Sequence, residues 1–453
     1  MRLGSSSFRP LRHKPFALLW SANLVSNVGT WMQTVAVGAL VTESTGRASW
    51  TALVAVAAFL PIGVLAPVGG ALADKLERRR WLAAGNLVEA ALATVLAVLS
   101  ATGRASAGAV TLVVLLNGCV AALVLPFQQA LVPDLVERDD VLAASSLGLT
   151  TYNMGRVVGP ALAGVVIAAS SFTWAFVVNA ASFFAVVAAL AAIRLEARPP
   201  DGGALGLWAR IRAGARAARV EPGCRAAIVL IALAAFLVAP FIALIPAKAS
   251  LVSDGGARAT AAATGAMTTA QGAGAVVGAL LLAPLSARFG RRRMLVTYLL
   301  GTPAALCVYA ATTSVVAAVA ALVAVGGIYV GILAGLSTVV QLRAPAEYRA
   351  RVLSLFFVAL GTIYPLGALV QGWLADRIGL ARTTVLGALA LAGVVGVIGV
   401  ARPAMLAALD DPSADHAEAP VSDQVAGPEV PAPGATDHTV TAAPDSPEPR
   451  PCH

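Results

Sequence analysis

The chain has 453 residues, of which 58% are hydrophobic and only 12% are charged, and its formal net charge is +9. A soluble globular domain carries about 25% charged residues. With a mean hydropathy of +0.81, this composition excludes a water-soluble fold and indicates an integral membrane protein.

Long intervals with at most one charged residue follow one another along the chain. Because about 20 helical residues cross a bilayer, each interval is long enough for a transmembrane helix, and two are long enough for a pair. We divide these two near Ser170 and Thr312, where small hydroxyl residues suit a tight turn. The segments of a membrane barrel would instead alternate over about ten residues. The pattern predicts an all-α integral membrane fold of twelve transmembrane helices, within residues 15–42, 48–73, 81–103, 105–133, 141–193, 226–247, 259–287, 294–342, 352–375 and 383–401.

The basic residues divide unevenly between the two sets of loops. With twelve spans, the loops on the N-terminal side hold 23 Lys and Arg residues and the opposite loops hold 6. Since basic loops stay in the cytoplasm, we expect a multi-pass protein of the cell membrane with both termini cytoplasmic. The basic loops would face anionic lipid head groups, so the positive charge does not require a nucleic-acid partner.

The charged segment at 74–80 has a second copy at 287–293, and each copy lies between the second and third helices of a six-helix set. Such repeats are typical of transporters that bind their substrate between two halves. The predicted organisation is a cytoplasmic N-terminal arm (1–15), two six-helix bundles (16–193 and 226–402), a basic cytoplasmic linker with an amphipathic helix (194–225), and a disordered, acidic, proline-rich tail (403–453).

Histidines and cysteines, four of each, are scattered rather than clustered, and no G-x-x-x-x-G-K-[ST] motif for ATP binding occurs. We therefore expect no metal site, no cofactor and no enzymatic activity. A small-molecule substrate is the expected partner, and we expect a monomer.

The first charged segment, with the residues before it, reads GGALADKLERRR. Its residues Gly70, Asp74, Lys75, Arg78 and Arg79 resemble the loop motif between the second and third helices of the major facilitator superfamily, which implies a role in gating. Topology and lipid anchoring are an alternative for the basic residues. The aspartate is not explained in this way, because acidic residues contribute little to topology. We expect its carboxylate to meet the positive N-terminus of a helix from the other half in one conformation.

The fifth span contains GRVVGPALAG. Its residues Gly155, Arg156, Gly159, Pro160 and Gly164 resemble the glycine-proline motif of antiporters in the same superfamily, which implies efflux. The opening phrase FRPLRHKPFALLW is similar to an efflux branch related to macrolide and enterobactin exporters. Close helix packing is the alternative for the glycines.

Glu89 and Arg156 are the ionisable residues well inside the predicted spans. A charge at that depth is costly and points to function. Both are candidates for coupling: Arg156 in substrate binding or coupling, and Glu89 as a proton carrier, as the partner of Arg156, or as a group that reaches the membrane surface.

Asn23, Asn27 and Trp31 form a polar stripe on one face of the first predicted helix. The resemblance implies that the first, fourth, seventh and tenth helices line the substrate cavity, and these include Asn117 and Tyr329. Hydrogen bonding between helices is the alternative for these residues.

These features predict a secondary transporter that exports an amphiphilic small molecule (a drug, secondary metabolite or siderophore-like compound) by alternating access, driven by the proton gradient. An uptake symporter and a non-transporting membrane sensor or partner protein are the alternatives.

Overall fold

The computed structural model describes residues 8–73, 76–193, 216, 219, 221–345 and 348–410. Within these ranges the chain is almost entirely helical, as the charge-free intervals predict. Three short 3-10 turns (Arg9–Arg12, Arg138–Asp140 and Ala239–Phe241) supplement the α-helices. The α-helices are α1 (Lys14–Thr45), α2 (Ala48–Ala73), α3 (Arg78–Ala101), α4 (Ala107–Leu135), α5 (Val141–Ala169), α6 (Phe172–Ala192), α7 (Pro222–Leu237), α8 (Ile245–Val252), α9 (Gly256–Phe289), α10 (Arg291–Ala311), α11 (Val315–Arg343), α12 (Arg349–Ile378), α13 (Leu380–Ala401) and α14 (Pro403–Ala407).

Among the described residues, eleven helices are long and apolar enough to cross a membrane, namely α1 to α6 and α9 to α13. The all-helical membrane fold is therefore confirmed, but the predicted count of twelve spans is not. The predicted span at 226–247 is divided between α7 and α8, with a 3-10 turn between them. Pro240 and Pro246 lie at this break, and proline lacks the N–H that would continue a helix.

The helices pack as two sets that meet along two long helix pairs. In the first set, α1 packs against α5 and α6, α2 against α4, and α3 against α4 and α6. In the second set, α9 packs against α11, α10 against α11 and α13, and α12 against α7. We call the first set the N-terminal half (α1 to α6) and the second the C-terminal half (α7 to α14). The two halves meet where α5 packs against α9 and where α2 packs against α12.

The two ends of this helical assembly carry different connections. We call the end with the turns after α1, α3, α5, α8, α10 and α12 the distal end. The opposite end, called proximal, carries the turn Arg9–Arg12 and the helix α14. At the proximal end Arg9 forms a 3.0 Å ion pair with Asp140, so part of the predicted N-terminal arm is fastened to the turn before α5.

Residues 403–410, which the sequence analysis assigns to the tail, pack against the C-terminal half. Leu406 and Leu409 are buried, and Arg343 donates a 2.9 Å hydrogen bond to the Asp410 carbonyl. The apolar side chains give this short segment a buried face. The predicted amphipathic helix of the linker lies outside the described residues except at Arg216 and Arg219, and the tail from residue 411 lies outside them entirely.

Candidate functional site

Arg156 lies on α5, where the two halves meet. Its Nη2 donates a 2.7 Å hydrogen bond to Oε1 of Gln271 on α9, in the other half. Its guanidinium carbon lies 5.9 Å from the ring centre of Trp31 on α1. These partners are a neutral amide and an aromatic face, so they hold the guanidinium in place without neutralising its charge.

Aromatic rings from both halves lie along the interface that holds Arg156. Tyr152 meets Trp31 edge to face, with 5.7 Å between the ring centres. Tyr329 on α11 is buried, and the ring centre of Tyr364 on α12 lies 5.7 Å from that of Phe59 on α2. One cation with several aromatic faces suits a ligand that is largely apolar and carries a few polar groups.

The first two glycines of the fifth-helix motif bring α5 against α1. A Cβ added at Gly155 would lie 2.9 Å from the Asn27 Cβ, and one added at Gly159 would lie 2.6 Å from the Trp31 Cβ. Asn27 itself donates a 2.9 Å hydrogen bond to the carbonyl of Asn23, one turn earlier. The predicted polar stripe of α1 therefore packs partly against α5, and these glycines permit the close approach.

The rest of the motif faces the other half. The Pro160 carbonyl lies against Gly265 of α9, and a Cβ added at Gly164 would lie 3.4 Å from the Cα of Ala262. Because proline has no N–H, the carbonyl four residues earlier, that of Arg156, loses its partner in the helix ladder. The motif thus places a backbone irregularity and a close helix contact beside the half-buried arginine.

Two predicted site residues lie on α3 and α4, helices that pack within the N-terminal half. Glu89 is buried on α3, the helix that packs against α4 and α6, and the structure pairs Arg156 with Gln271 instead. Asn117 is partly buried on α4. Its neighbour Gly118 lies against the backbone of α2, where an added Cβ would be 2.7 Å from the Ala57 carbonyl oxygen.

The basic residues of the charged segment fasten the start of α3 to its neighbours. Arg78 Nη1 lies 2.6 Å from Oδ2 of Asp134 and 3.1 Å from the Ala130 carbonyl oxygen, near the end of α4. Arg79 Nη2 donates a 3.1 Å hydrogen bond to the Ala191 carbonyl at the end of α6. Cations at these positions satisfy helix C-terminal carbonyls, so both arginines have a packing role. Asp74 and Lys75 lie outside the described residues.

The two glycines before this segment, Gly69 and Gly70, have different surroundings. At Gly70 an added Cβ would have open space around it. At Gly69 it would lie 2.8 Å from the Ala122 carbonyl oxygen of α4. Successive residues point about 100° apart around a helix, which explains why only Gly69 makes the close contact.

Asp376, at the end of α12, is a contact residue that is not among the predicted site residues. Its Oδ1 accepts a 2.7 Å hydrogen bond from the backbone N–H of Ala48, at the start of α2 in the other half. Its Oδ2 lies 3.3 Å from the Ser49 nitrogen and 3.4 Å from Nε of Arg47. A sequence signal exists: GWLADR at 372–377 repeats the pattern of GALADK at 70–75.

The contact between α5 and α9 is made toward the distal end and is lost toward the proximal end. The contacts at Arg156, Gly164 and Gly265 lie in the distal part of the pair. Leu149 lies two turns before Arg156 on the same face of α5, yet 69% of it is exposed. On α9, Leu280 is 73% exposed. The two helices thus separate on the proximal side of Arg156 and leave that side of the site open.

A helical membrane fold with a charged aromatic site between two halves, closed at one end, defines a membrane transporter rather than an enzyme. The chain belongs to the family described as Transmembrane secretion effector, whose model matches residues 5–431. It is an efflux-type transporter of the major facilitator superfamily, as its sequence motifs predict, and its substrate is a small molecule.

Several curated relatives are efflux proteins. The chain is 27% identical to the multidrug efflux pump Tap of Mycolicibacterium fortuitum, over 82% of this chain and 91% of that protein. It is 22% identical to macrolide efflux protein A of Streptococcus pyogenes, over 81% of this chain and 90% of that protein. It is 29% identical to the enterobactin exporter EntS of Citrobacter koseri, over 42% of this chain and 45% of that protein.

Solved structures share the fold. A bacterial homologue of the human lysosomal transporter Spinster, in an inward-facing and unoccupied conformation, superposes with a TM-score of 0.65 at 14% identity, over 88% of this chain and 97% of that one. A point mutant of the peptide transporter POT, in complex with sulfate, superposes with a TM-score of 0.67 at 14% identity, over 88% of this chain and 96% of that one.

Proposed function

We propose that the protein exports an amphiphilic small molecule from the cytoplasm by alternating access, driven by the proton gradient. The observation that carries this proposal is the site at Arg156, held between the two halves by Gln271 and open on its proximal side only. A substrate would enter from the proximal end and leave when the distal end opens. The substrate class is that of a drug, a secondary metabolite or a siderophore-like compound.

The proposed direction rests on the orientation and on the relatives. The excess of Lys and Arg in the proximal loops, 23 against 6, favours a cytoplasmic proximal end in the cell membrane, against anionic head groups. The names multidrug efflux pump, macrolide efflux protein and enterobactin exporter support export. The moving units would be the bundles at 16–193 and 226–402, working as a monomer.

Arg156 is proposed to bind the substrate or to take part in coupling. Its guanidinium is oriented by Gln271 and Trp31, and no acidic side chain among the described residues forms an ion pair with it. Glu89, buried on α3, is proposed as a proton carrier. Asn117 and Tyr329 remain candidates for contact with the substrate.

Asp74 is proposed to hold the proximal end closed in the outward-facing state. The antiparallel register of α2 and α12 supports this role: Gly63 lies against Gly361, so residue 74, eleven residues later, would lie level with residue 350, eleven residues earlier on the partner. Residue 350 is at the start of α12. A carboxylate at a helix N-terminus is stabilising by about 0.3–2 kcal/mol.

The test begins with a resistance and accumulation screen in a cell that lacks other pumps, followed by flux measurements in everted membrane vesicles. Export predicts that the compound found in the screen accumulates inside everted vesicles, and that a protonophore abolishes accumulation while ATP is held constant. Accumulation that survives the protonophore but stops on ATP depletion would contradict secondary transport. Accumulation in right-side-out vesicles only would identify an uptake symporter, and binding without flux in proteoliposomes would identify a sensor.

A further inference from the structure

We propose that Asp376 is a latch that keeps the distal end closed: it caps helix α2 of the opposite half and must be released each time the transporter opens outward. The inference rests on the proposed function only in supposing that the two ends open alternately. It assigns a role in gating to a residue outside the substrate site.

Helix α2 begins without a cap from its own sequence. Two other helices that start at the distal end are capped locally: Ser106 accepts from the Ala109 N–H at the start of α4, and Ser314 accepts from the Ala317 N–H at the start of α11, each at 3.3 Å. Before α2 the corresponding position is Arg47, whose side chain has only donors. The first N–H groups of a helix need an acceptor, and here Asp376 of the other half supplies it.

The geometry is that of a helix cap made between domains. The Asp376 side chain is 16% exposed, and its carboxylate reaches the N–H groups of both Ala48 and Ser49. Its negative charge lies at the positive end of the α2 dipole. The nearby Arg47 guanidinium is 64% exposed, so it contributes little, and the backbone contacts carry the interaction.

A second contact of the same kind closes the neighbouring part of the distal end. Thr260, near the start of α9, donates a hydrogen bond to the carboxylate of Glu43, near the end of α1. Here the acid belongs to the N-terminal half and the donor to the C-terminal half, the reverse of the Asp376 contact. Both contacts must break when the halves separate at this end.

The repeated sequence supports a role for the aspartate at the end of α12 in contacting the partner helix. The first four residues of GALADK, 70–73, end α2, and GWLADR lies at the end of α12. These two helices run antiparallel as partners across the interface. In this structure Gly372 lies against Ala52, which keeps α12 close enough for Asp376 to reach the α2 backbone. An aspartate one turn beyond a small residue therefore meets the partner helix at its uncapped end.

The latch is strong enough to bias the conformation and weak enough to open. When the distal end opens, water replaces the carboxylate at the two N–H groups, so only the difference between the two caps is lost. The loss of an N-cap commonly shifts an equilibrium by about twofold to thirtyfold. We expect Asp376→Ala to favour distal opening by about tenfold, and Asp376→Asn, which keeps an acceptor oxygen, by less.

The experiment measures distal opening without a substrate. Ala261 of α9 is fully buried among side chains of the N-terminal half, so Ala261→Cys reports separation of the halves at a site remote from α12. The reporter is placed in a chain with its native cysteines replaced, namely Cys119, Cys224, Cys307 and Cys452, and the protein is purified in lipid nanodiscs. The rate of reaction with a maleimide is compared among wild-type Asp376, Asp376→Asn, Asp376→Ala and the control Asp254→Asn, an exposed distal acid.

The latch predicts that labelling of the Ala261→Cys reporter rises in the order wild type, Asp376→Asn, Asp376→Ala, while Asp254→Asn matches wild type. A second reporter, Leu149→Cys on the proximal side, should react more slowly in Asp376→Ala, which separates opening from unfolding. Unchanged labelling of both reporters, or a rise in both, would overturn the latch. Since no flux is measured, this failure would leave export itself to the vesicle experiment.

Discussion

The distal and proximal ends of the interface differ although the same helix pairs run through both. At the distal end, α2 and α5 contact α12 and α9 through glycines and hydrogen bonds. Toward the proximal end, the corresponding face of α5 is exposed at Leu149. The difference indicates that the interface can separate. Its described contacts are mostly small residues, with a few hydrogen bonds and the Phe59–Tyr364 ring pair.

Removing the group at the centre of the interface should have the largest effect on transport. Arg156→Ala takes away the charge that Gln271 and Trp31 hold between the two ends. We expect transport to fall by about a hundredfold, since hydrogen bonds to charged groups contribute about 1.5–3 kcal/mol, while membrane insertion stays normal. Flux in everted vesicles at matched expression measures this, with the exposed Arg104→Ala as control. Wild-type flux in Arg156→Ala would show that Arg156 has no role in transport.

Breaking the proposed proximal latch should have the next largest effect. Asp74→Asn removes the charge expected to meet the start of α12, and we expect transport to fall by about tenfold, the upper range of a helix-dipole contact. Expression and topology should be unchanged, and Asp74→Glu should restore transport only in part because the longer side chain misplaces the charge. Normal flux in Asp74→Asn would make the aspartate an ordinary loop residue.

Adding a methyl group at a close contact of the distal end should destabilise the distal-closed state. Gly265 lies against the Pro160 carbonyl, whereas Gly301 has open space around it. Gly265→Ala should therefore destabilise the distal-closed state by about 1–3 kcal/mol, the usual cost of overpacking, and Gly301→Ala should not. Thermal unfolding in nanodiscs compares the two variants, and equal unfolding temperatures would mean that the close contact at Gly265 does not matter.

Glu89 offers the smallest expected effect, because it lies outside the contacts between the halves. If it carries the proton, Glu89→Gln should alter the pH dependence of transport while the rate at the optimum changes little. Flux measured across a pH series checks this, and a wild-type pH profile in Glu89→Gln would reduce the residue to a packing role.

The sequence was sufficient for the parts of the molecule that depend on local pattern. Charge-free intervals locate the helices because a bilayer demands about 20 apolar residues, and Arg156 is conspicuous because a charge there is costly. Its partner Gln271 could not be predicted, since it is 115 residues away in the chain. One uncharged polar residue in an apolar helix has no distinguishing pattern.

The break between α7 and α8 has a visible cause in Pro240 and Pro246, but prolines also occur inside unbroken helices here, such as Pro160 in α5. Packing decides which proline ends a helix. Gly69 and Gly70 show the same limit, because a rotation of one residue decides which glycine meets α4. The Asp376 contact depends on the register of two helices, which only the fold defines.

Opposed latches at the two ends are the central claim, and paired spin-label distances test it most directly. One pair, at Leu149 and Leu280, spans the halves at the proximal end, and the other, at Trp174 and Leu251, spans them at the distal end. Asp376→Ala should shorten the proximal distance and lengthen the distal one, while Asp74→Asn should shift the populations the opposite way. A shift in the same direction in both variants, or no change in either, would contradict the account.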